Sequence, residues 1–200
     1  GVLAAVDRVR AALEQGTPAR ASGATLPPDV QLLTAKPVIY VCNVEEGSLA
    51  SGNAYVARVR ERAARDGAEV VVVSARIEQE LAELDEDEAQ EFLRELGATR
   101  SGLERLIETG YRTLGLSTFF TASEKEVRAW TIPSGATAPE AAGEIHTDMQ
   151  RGFIRAETIA WDVLVDIGSL AAARAKGLLR TEGKAYRVQD GDVVHFLFNV

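Results

Sequence analysis

Three observations predict an α/β unit followed by a compact α+β unit. A chain of 200 residues with 46% hydrophobic residues can bury a sizeable core, and at ~100–200 residues per domain it can form one large or two small domains. Two β-branched apolar runs flank an amphipathic segment, which is the strand–helix–strand pattern of a parallel sheet. Beyond Leu116 the pattern changes to short strands around one helix, as in an α+β unit.

The α/β part begins with a helix. Apolar residues recur at helical spacing over 2–15, and the Gly-, Pro-, Ser- and Thr-rich stretch 16–29 predicts a loop. The runs at 37–42 and 70–73 predict buried parallel strands, with a helix over 53–66 between them. Because open α/β sheets bind ligands at the carboxyl ends of their strands, we expect a site just after these two strands.

The helices that follow are first acidic and then apolar. Eight acidic residues between Glu78 and Glu91 predict a solvated helical surface. The next helix has one apolar face, which predicts packing in the core. The residues of that face are Leu103, Leu106, Ile107, Tyr111 and Leu114.

The α+β part contains four strand patterns and one helix. Strands are expected over 126–132, 153–161, 186–189 and 193–198, with a tight turn at Asp190-Gly191. The helix is expected to begin near Pro139 with Thr137 as its cap. Together these elements predict a small domain of β-grasp type.

Charge and composition exclude several classes of protein. The net charge of -8 disfavours nucleic-acid binding by general phosphate neutralisation, although a local basic strip is compatible with it. A single cysteine, Cys42, and two distant histidines form neither a disulfide framework nor a zinc-ligand pattern. With no apolar run long enough to span a membrane, we expect a reduced, cytoplasmic protein. The start at Gly1-Val2-Leu3 suggests a cut through a longer protein.

The motifs that hold nucleotide phosphates are absent from the sequence. A phosphate loop needs GxxxxGK[ST], and the nearest candidate, Gly183-Lys184, is followed by Ala185. No glycine has an aspartate three residues before it, so the DxxG switch motif is also missing. We therefore expect the chain alone to be catalytically inactive and to hold no nucleotide or metal tightly.

The turn Asn43-Val44-Glu45-Glu46 stands where GTPases carry Asn-Lys-x-Asp. In that motif the asparagine fixes the loop and the aspartate binds the guanine edge. Adenine offers an acceptor where guanine offers a donor, so a carboxylate held rigidly at this position would repel the base of ATP. The longer side chain of Glu46 is held less rigidly and so lets ATP bind. One paired polar contact is worth ~1–3 kcal/mol, enough to reverse a base preference. By itself the tetrapeptide is equally compatible with an ordinary polar turn.

Several longer strings resemble the YchF/Obg-like ATPase family. They are Lys36 to Glu46, Ala82 to Asp85, Lys125 to Pro133, Gly135 to Pro139, Ile145 to Asp148, Gly152 to Ala156 and Asp190 to Val200. The resemblance implies a helical coiled-coil arm remnant over 1–35, the C-terminal half of a P-loop NTPase domain over 36–115, and a ubiquitin-like TGS domain over 116–200. The match starts near Lys36 and is most specific in the second half.

The resemblance also implies roles for individual residues. Asn43, Val44 and Glu46 would read the nucleotide base, with Ser74 and Ala75 in the second base-side loop. The intact protein would bind and hydrolyse ATP, and GTP more weakly, with Mg²⁺ placed by a part outside this chain.

The TGS domain of the family is linked with RNA and ribosomes. Here Lys125, Arg128, Arg151 and Arg155 are the candidate contacts. Alternatively, the arginines pair with Glu144, Asp148 and Glu157 to stabilise the domain. No membrane contact and no DNA sequence specificity are expected. The leading hypothesis is thus part of a ribosome-associated regulatory ATPase, and the alternative is a non-catalytic docking module for RNA, ribosome or protein.

Overall fold

The computed structural model describes residues 1–123 and 125–199. Glu124 and Val200 fall within ranges named above and lie outside the described residues. The chain forms two compact units, Gly1–Leu114 and the part from Gly115 onward. Each unit has its own secondary structure and is described separately.

The first unit contains a two-stranded parallel sheet and five helices among its described residues. The helices are α1 (Val2–Glu14), α2 (Ala54–Asp66), α3 (Ala75–Leu81), α4 (Glu86–Glu95) and α5 (Gly102–Leu114), the strands are β1 (Ile39–Asn43) and β2 (Glu69–Val73), and 3-10 turns lie at Ala19–Ser22, Leu33–Ala35 and Glu46–Ser48. The strand–helix–strand prediction is confirmed, because β1 and β2 pair in parallel in register from Ile39 opposite Glu69.

Local chemistry sets the ends of α2. The Asn53 side chain accepts hydrogen bonds from the backbone N–H groups of Tyr55 and Val56, each at 3.0 Å, and so begins the helix. Gly67 ends it in the left-handed conformation, with φ of 62°. Val56 and Ala63 are the buried residues of α2, which packs on both strands. The parallel pairing of the strands places the carboxyl end of β1 beside that of β2.

The predicted core face of α5 is wrong. Leu103, Ile107 and Leu114 are each more than half exposed, whereas Gly102 and Thr109 are buried. The helix meets β2 through Gly102, where an added Cβ atom would lie 2.8 Å from Val73 Cγ1, and through Arg105, whose guanidinium donates to the Val72 carbonyl at 2.9 Å. The side of α5 that meets β2 is therefore not its most apolar side.

The second unit is a mixed five-stranded sheet with four helices among its described residues. Its elements are β3 (Leu116–Ala122), β4 (Val127–Pro133), α6 (Ala138–Ile145), α7 (Thr147–Arg151), β5 (Phe153–Ala160), α8 (Trp161–Ile167), α9 (Leu170–Ala175), β6 (Arg180–Glu182) and β7 (Asp192–Phe198). The strand order is β4-β3-β7-β5-β6, with β3 parallel to β7 and the other pairs antiparallel. Helix α6 packs on this sheet around buried Phe119 and Phe196.

The strands expected in this unit need three corrections. The segment 186–189 is not a strand, because only Arg187 forms an isolated bridge, with Thr137. The residues on either side of Arg187 also form hydrogen bonds with the loop before α6. The Ala138 N–H donates to the Tyr186 carbonyl, and the Val188 N–H donates to the Ala136 carbonyl. The inner strand β3 and the short edge strand β6 were not among the strands expected from the sequence. Helices α7, α8 and α9 were not expected either, because the sequence pattern predicted one helix in this unit. The tight turn at Asp190-Gly191 is confirmed, with Gly191 at φ of 82°.

Within the described ranges, no helix has the length and apolar character that crossing a membrane would need. The same part of the chain brings together no group of three or more histidine, cysteine or acidic side chains that could hold a metal ion.

Candidate base-recognition site

Asn43 joins the two loops of the candidate site. It is the last residue of β1, and its side-chain oxygen accepts a hydrogen bond of 3.0 Å from the backbone N–H of Ala75, the first residue of α3. One amide side chain therefore ties the turn after β1 to the loop after β2. This is the loop-fixing contact expected of the asparagine in a base-recognition turn.

The main chain beside Asn43 continues the sheet. The Val44 N–H donates to the Val73 carbonyl at 2.8 Å. Ser74 is 1% exposed, and its carbonyl accepts the Glu78 N–H at 2.9 Å. Ser74 is thus buried and bonded to the first turn of α3.

Glu46 is one of two acidic residues beside this site, with Glu45. It is exposed at the start of the 3-10 turn Glu46–Ser48, and its carboxylate forms no ion pair with any described residue. A pocket of about 580 Å³ opens between the two loops. Its lining consists of Asn43, Val44, Glu45, Glu46, Gly47, Ser74 and Arg76. Ala75 is not part of this lining, although its N–H donates to the Asn43 side chain.

Glu78 joins helix α3, which follows the second loop, to the first turn of α5. Its carboxylate accepts hydrogen bonds from the N–H groups of Gly102 at 2.7 Å and Leu103 at 3.0 Å, in the first turn of α5. A carboxylate at a helix N-terminus is favoured by the unpaired N–H groups and the helix dipole. The sequence places Glu78 in an acidic run predicted to be solvated surface, and no local signal distinguishes it, because its partners lie 24 and 25 residues away.

The four basic candidates of the second unit fall into two pairs. Lys125 and Arg128 lie at the start of β4, while Arg151 and Arg155 lie around the start of β5. Strands β4 and β5 are separated by β3 and β7, which is three strand spacings or roughly 14 Å. All four residues are exposed, but they do not form one basic strip.

Some of these arginines have internal partners. Arg151 pairs with Asp148, and this contact holds the pKa of the Asp148 carboxyl below its usual range. The Arg128 guanidinium lies 4.2 Å from the Trp130 ring centroid. Glu157, by contrast, pairs with Arg174 rather than with Arg155. The alternative interpretation of the arginines as structural therefore fits Arg151 and leaves Arg155 available.

Comparison with known proteins supports the resemblance seen in the sequence. Residues 116–199 match the family model YchF-GTPase_C, described as a protein of unknown function (DUF933). A "Ribosome-binding ATPase YchF" from Bacillus subtilis strain 168 is 52% identical over 98% of this chain and 55% of its own length. The chain is therefore YchF-like, and it resembles the C-terminal part of these proteins.

The YchF relatives are longer than this chain. The YchF of Escherichia coli O157:H7, with the same printed name, is 52% identical over 86% of this chain and 47% of its own length. The chain thus spans about half the length of the curated relatives it matches.

Solved structures give the same result for the fold. The Schizosaccharomyces pombe YchF GTPase superposes with a TM-score of 0.78 at 35% identity, covering 97% of this chain and 53% of that one. A GTP-binding protein from Pyrococcus horikoshii OT3 superposes with a TM-score of 0.56 over 96% of this chain and 56% of that one, at 19% identity, which supports the mixed α/β fold alone.

Proposed function

We propose that this chain is the C-terminal portion of a ribosome-associated regulatory P-loop protein that binds and hydrolyses ATP, and GTP more weakly. In it, the first unit is the C-terminal half of the nucleotide domain and reads the base. The second unit is a TGS domain of β-grasp type and docks the protein to ribosome or RNA in the cytoplasm. The observation that carries the nucleotide assignment is the Asn43–Ala75 hydrogen bond, which joins two loops beside a pocket of about 580 Å³.

The residues of the pocket fit a purine base. The Asn43 amide fixes the loops, the Val44 side chain and carbonyl lie beside the pocket, and the unpaired Glu46 carboxylate can accept hydrogen bonds from an exocyclic amine. Glutamate in place of aspartate reaches further and on a more flexible stem, so the carboxylate can turn away from the ring acceptor of adenine. The pocket is therefore compatible with ATP as well as GTP.

The residues of this chain do not fit the phosphates or Mg²⁺. The sequence contains neither GxxxxGK[ST] nor DxxG, and the described residues bring together no metal-binding cluster. Phosphate binding, Mg²⁺ and hydrolysis therefore belong to a part of the protein outside this chain, and the chain alone is expected to be inactive.

Calorimetric titration of ATP and GTP tests this assignment. The longest natural form of the protein should bind ATP more tightly than GTP, and the 200-residue chain should bind neither measurably, because it lacks the phosphate contacts. In the long form, Glu46→Gln should alter the ATP-to-GTP preference, whereas Glu45→Gln, in the same turn, should not. Equal effects of the two substitutions would contradict the role of Glu46.

A docking module without catalysis is the second candidate, favoured by the absence of a phosphate loop from the sequence. Sedimentation of the chain with purified ribosomes tests the docking role of the second unit. Substitution of Arg155 by glutamine should weaken co-sedimentation, while Arg174→Gln, which removes a residue paired with Glu157, should not. If the long form binds no nucleotide and the chain still sediments with ribosomes, the docking function alone remains.

A further inference from the structure

The two tryptophans of the chain have opposite environments, although both lie in the second unit. Trp130 is satisfied internally: its indole N–H donates to Thr121 Oγ1 at 2.9 Å, and its ring stacks with Phe119 at 6.5 Å between centroids. The Arg128 guanidinium lies over the same ring at 4.2 Å. Every kind of contact that a tryptophan favours is already made within the fold.

Trp161 makes none of these contacts with the described residues. It is 54% exposed at the start of α8, its indole N–H donates to no described side chain or carbonyl, and no described cation lies over its ring. One edge of the indole packs on Gly191, where an added Cβ atom would lie 2.6 Å from Trp161 Cδ1. The ring is thus held in place on one side and open to solvent on the other.

The surface around Trp161 is apolar and acidic. Val165 lies one helical turn further on and is 68% exposed, and Asp162 and Asp166 form a parallel acidic pair along α8. Neither aspartate forms an ion pair with a described residue, and residues 160–168 contain no lysine or arginine. We call Trp161, Asp162, Val165 and Asp166 the α8 face.

We propose that the α8 face binds an arginine- or lysine-bearing segment of a protein partner. A cation over the open indole gains the same interaction that Arg128 supplies to Trp130. Val165 packs against the aliphatic stem of such a side chain, and Asp162 and Asp166 pair with its charge. The same carboxylates repel phosphates, which disfavours RNA as the occupant. The proposal does not depend on the nucleotide site.

A direct binding measurement tests this proposal on the 200-residue chain. The probe is a short fluorescein-labelled peptide rich in arginine and leucine, and fluorescence anisotropy follows its binding at low and physiological salt. Truncation of a central aromatic contact typically weakens binding about tenfold or more, so Trp161→Ala should have that effect. Trp161→Phe, which retains an aromatic face, should recover part of the loss. Asp162→Asn with Asp166→Asn should also weaken binding and reduce its salt dependence.

Matched controls separate the α8 face from general attraction to an acidic protein. Tyr55→Ala removes another aromatic side chain, 76% exposed in the first unit, and should leave peptide affinity unchanged. Asp7→Asn with Glu14→Gln removes the same charge from α1 and should have a smaller effect than the α8 pair. Because all these side chains are exposed, urea unfolding should show the variants to be folded.

Three outcomes would overturn the proposal. The first is peptide affinity that Trp161→Ala leaves unchanged, and the second is an equal loss in the control variants. The third is competition by a single-stranded oligoribonucleotide whose own binding requires Trp161, which would assign the α8 face to RNA. If Trp161→Ala proves unstable, the aspartate pair decides the matter by itself.

Discussion

Two glycines of helix α5 should respond in opposite ways to the same substitution. At Gly102 an added Cβ atom would lie 2.8 Å from Glu78 Oε1 and 2.8 Å from Val73 Cγ1, whereas at Gly110 nothing lies within 4 Å. Neither glycine has a positive φ, so alanine strains neither backbone. The difference between the two variants therefore isolates the contact that joins α5 to the base-side loop.

The magnitudes follow from these contacts. Gly110→Ala should stabilise the first unit by about 0.5–1 kcal/mol, because alanine is the better helix former. Gly102→Ala should destabilise it by about 1–3 kcal/mol, because the strand residue Val73 or the Glu78 carboxylate must move to admit the methyl group. Glu78→Ala should cost about 2 kcal/mol, since it removes the charged acceptor of two hydrogen bonds that the partly exposed first turn of α5 donates.

Hydrogen exchange is the suitable assay for these variants. Both tryptophans lie in the second unit, so intrinsic tryptophan fluorescence does not report on α5. Exchange protection of the α5 amides, measured by mass spectrometry, gives the local free energy of opening. Equal stabilisation by Gly102→Ala and Gly110→Ala would refute the close contact between α5, Glu78 and Val73.

Further predictions concern the second unit and are checked by urea unfolding followed by tryptophan fluorescence. Phe119→Ala should lower its stability by about 3–5 kcal/mol, because Phe119 is fully buried in the core. Burial and the hydrogen bond to Asp192 raise the pKa of Tyr186 above 10.0. The contribution of Tyr186 to folding stability is therefore full below that pH and is lost as pH rises through the folded-state pKa. Tyr186→Phe should remove this alkaline dependence. The Thr137 N–H and hydroxyl hold the pKa of Glu140 below 4.5. The contribution of Glu140 to folding stability is therefore present above that pH and is lost as pH falls through the lowered pKa. Glu140→Gln should reduce the loss of stability at acid pH.

The sequence predicts those elements whose residues alternate or repeat in a simple way. Strands β1 and β2 are runs of β-branched residues, and α2 carries a capping asparagine and a terminal glycine, so all three were expected. Strand β3 was missed because both of its faces are covered. Phe119 is buried in one core cluster while its neighbour Phe120 packs against the other, and the usual alternation of apolar and polar residues is absent.

The apolar face of α5 shows a different limit of sequence reasoning. Its helical periodicity is strong, but the helix meets β2 through Gly102 and through Arg105, which donates to the Val72 carbonyl. Likewise, the segment 186–189 has the composition of a strand but pairs only with a loop. In both cases the partner, which local sequence does not specify, determines the outcome.

The candidate site was predictable where it depends on the ends of strands. Asn43 and Ala75 lie after two recognisable strands, and their hydrogen bond follows from parallel pairing. The contribution of Glu78 depends on where α5 begins, far along the chain, so the acidic run alone did not reveal it. The separation of the four basic residues likewise depends on the strand order β4-β3-β7-β5, which short strand patterns do not determine.

The central claim is that Asn43 organises a nucleotide-base pocket. Its most direct test is the ATP dissociation constant of the longest natural form carrying Asn43→Ala, measured by calorimetry, with Asn53→Ala as a control that removes the cap of α2 instead. Asn43→Ala removes the hydrogen bond that fixes the two loops, which is worth about 1–3 kcal/mol when its partner is left unpaired. It should therefore weaken ATP binding about tenfold or more, whereas Asn53→Ala should weaken it little. Unchanged ATP affinity in the folded Asn43→Ala protein would contradict the account.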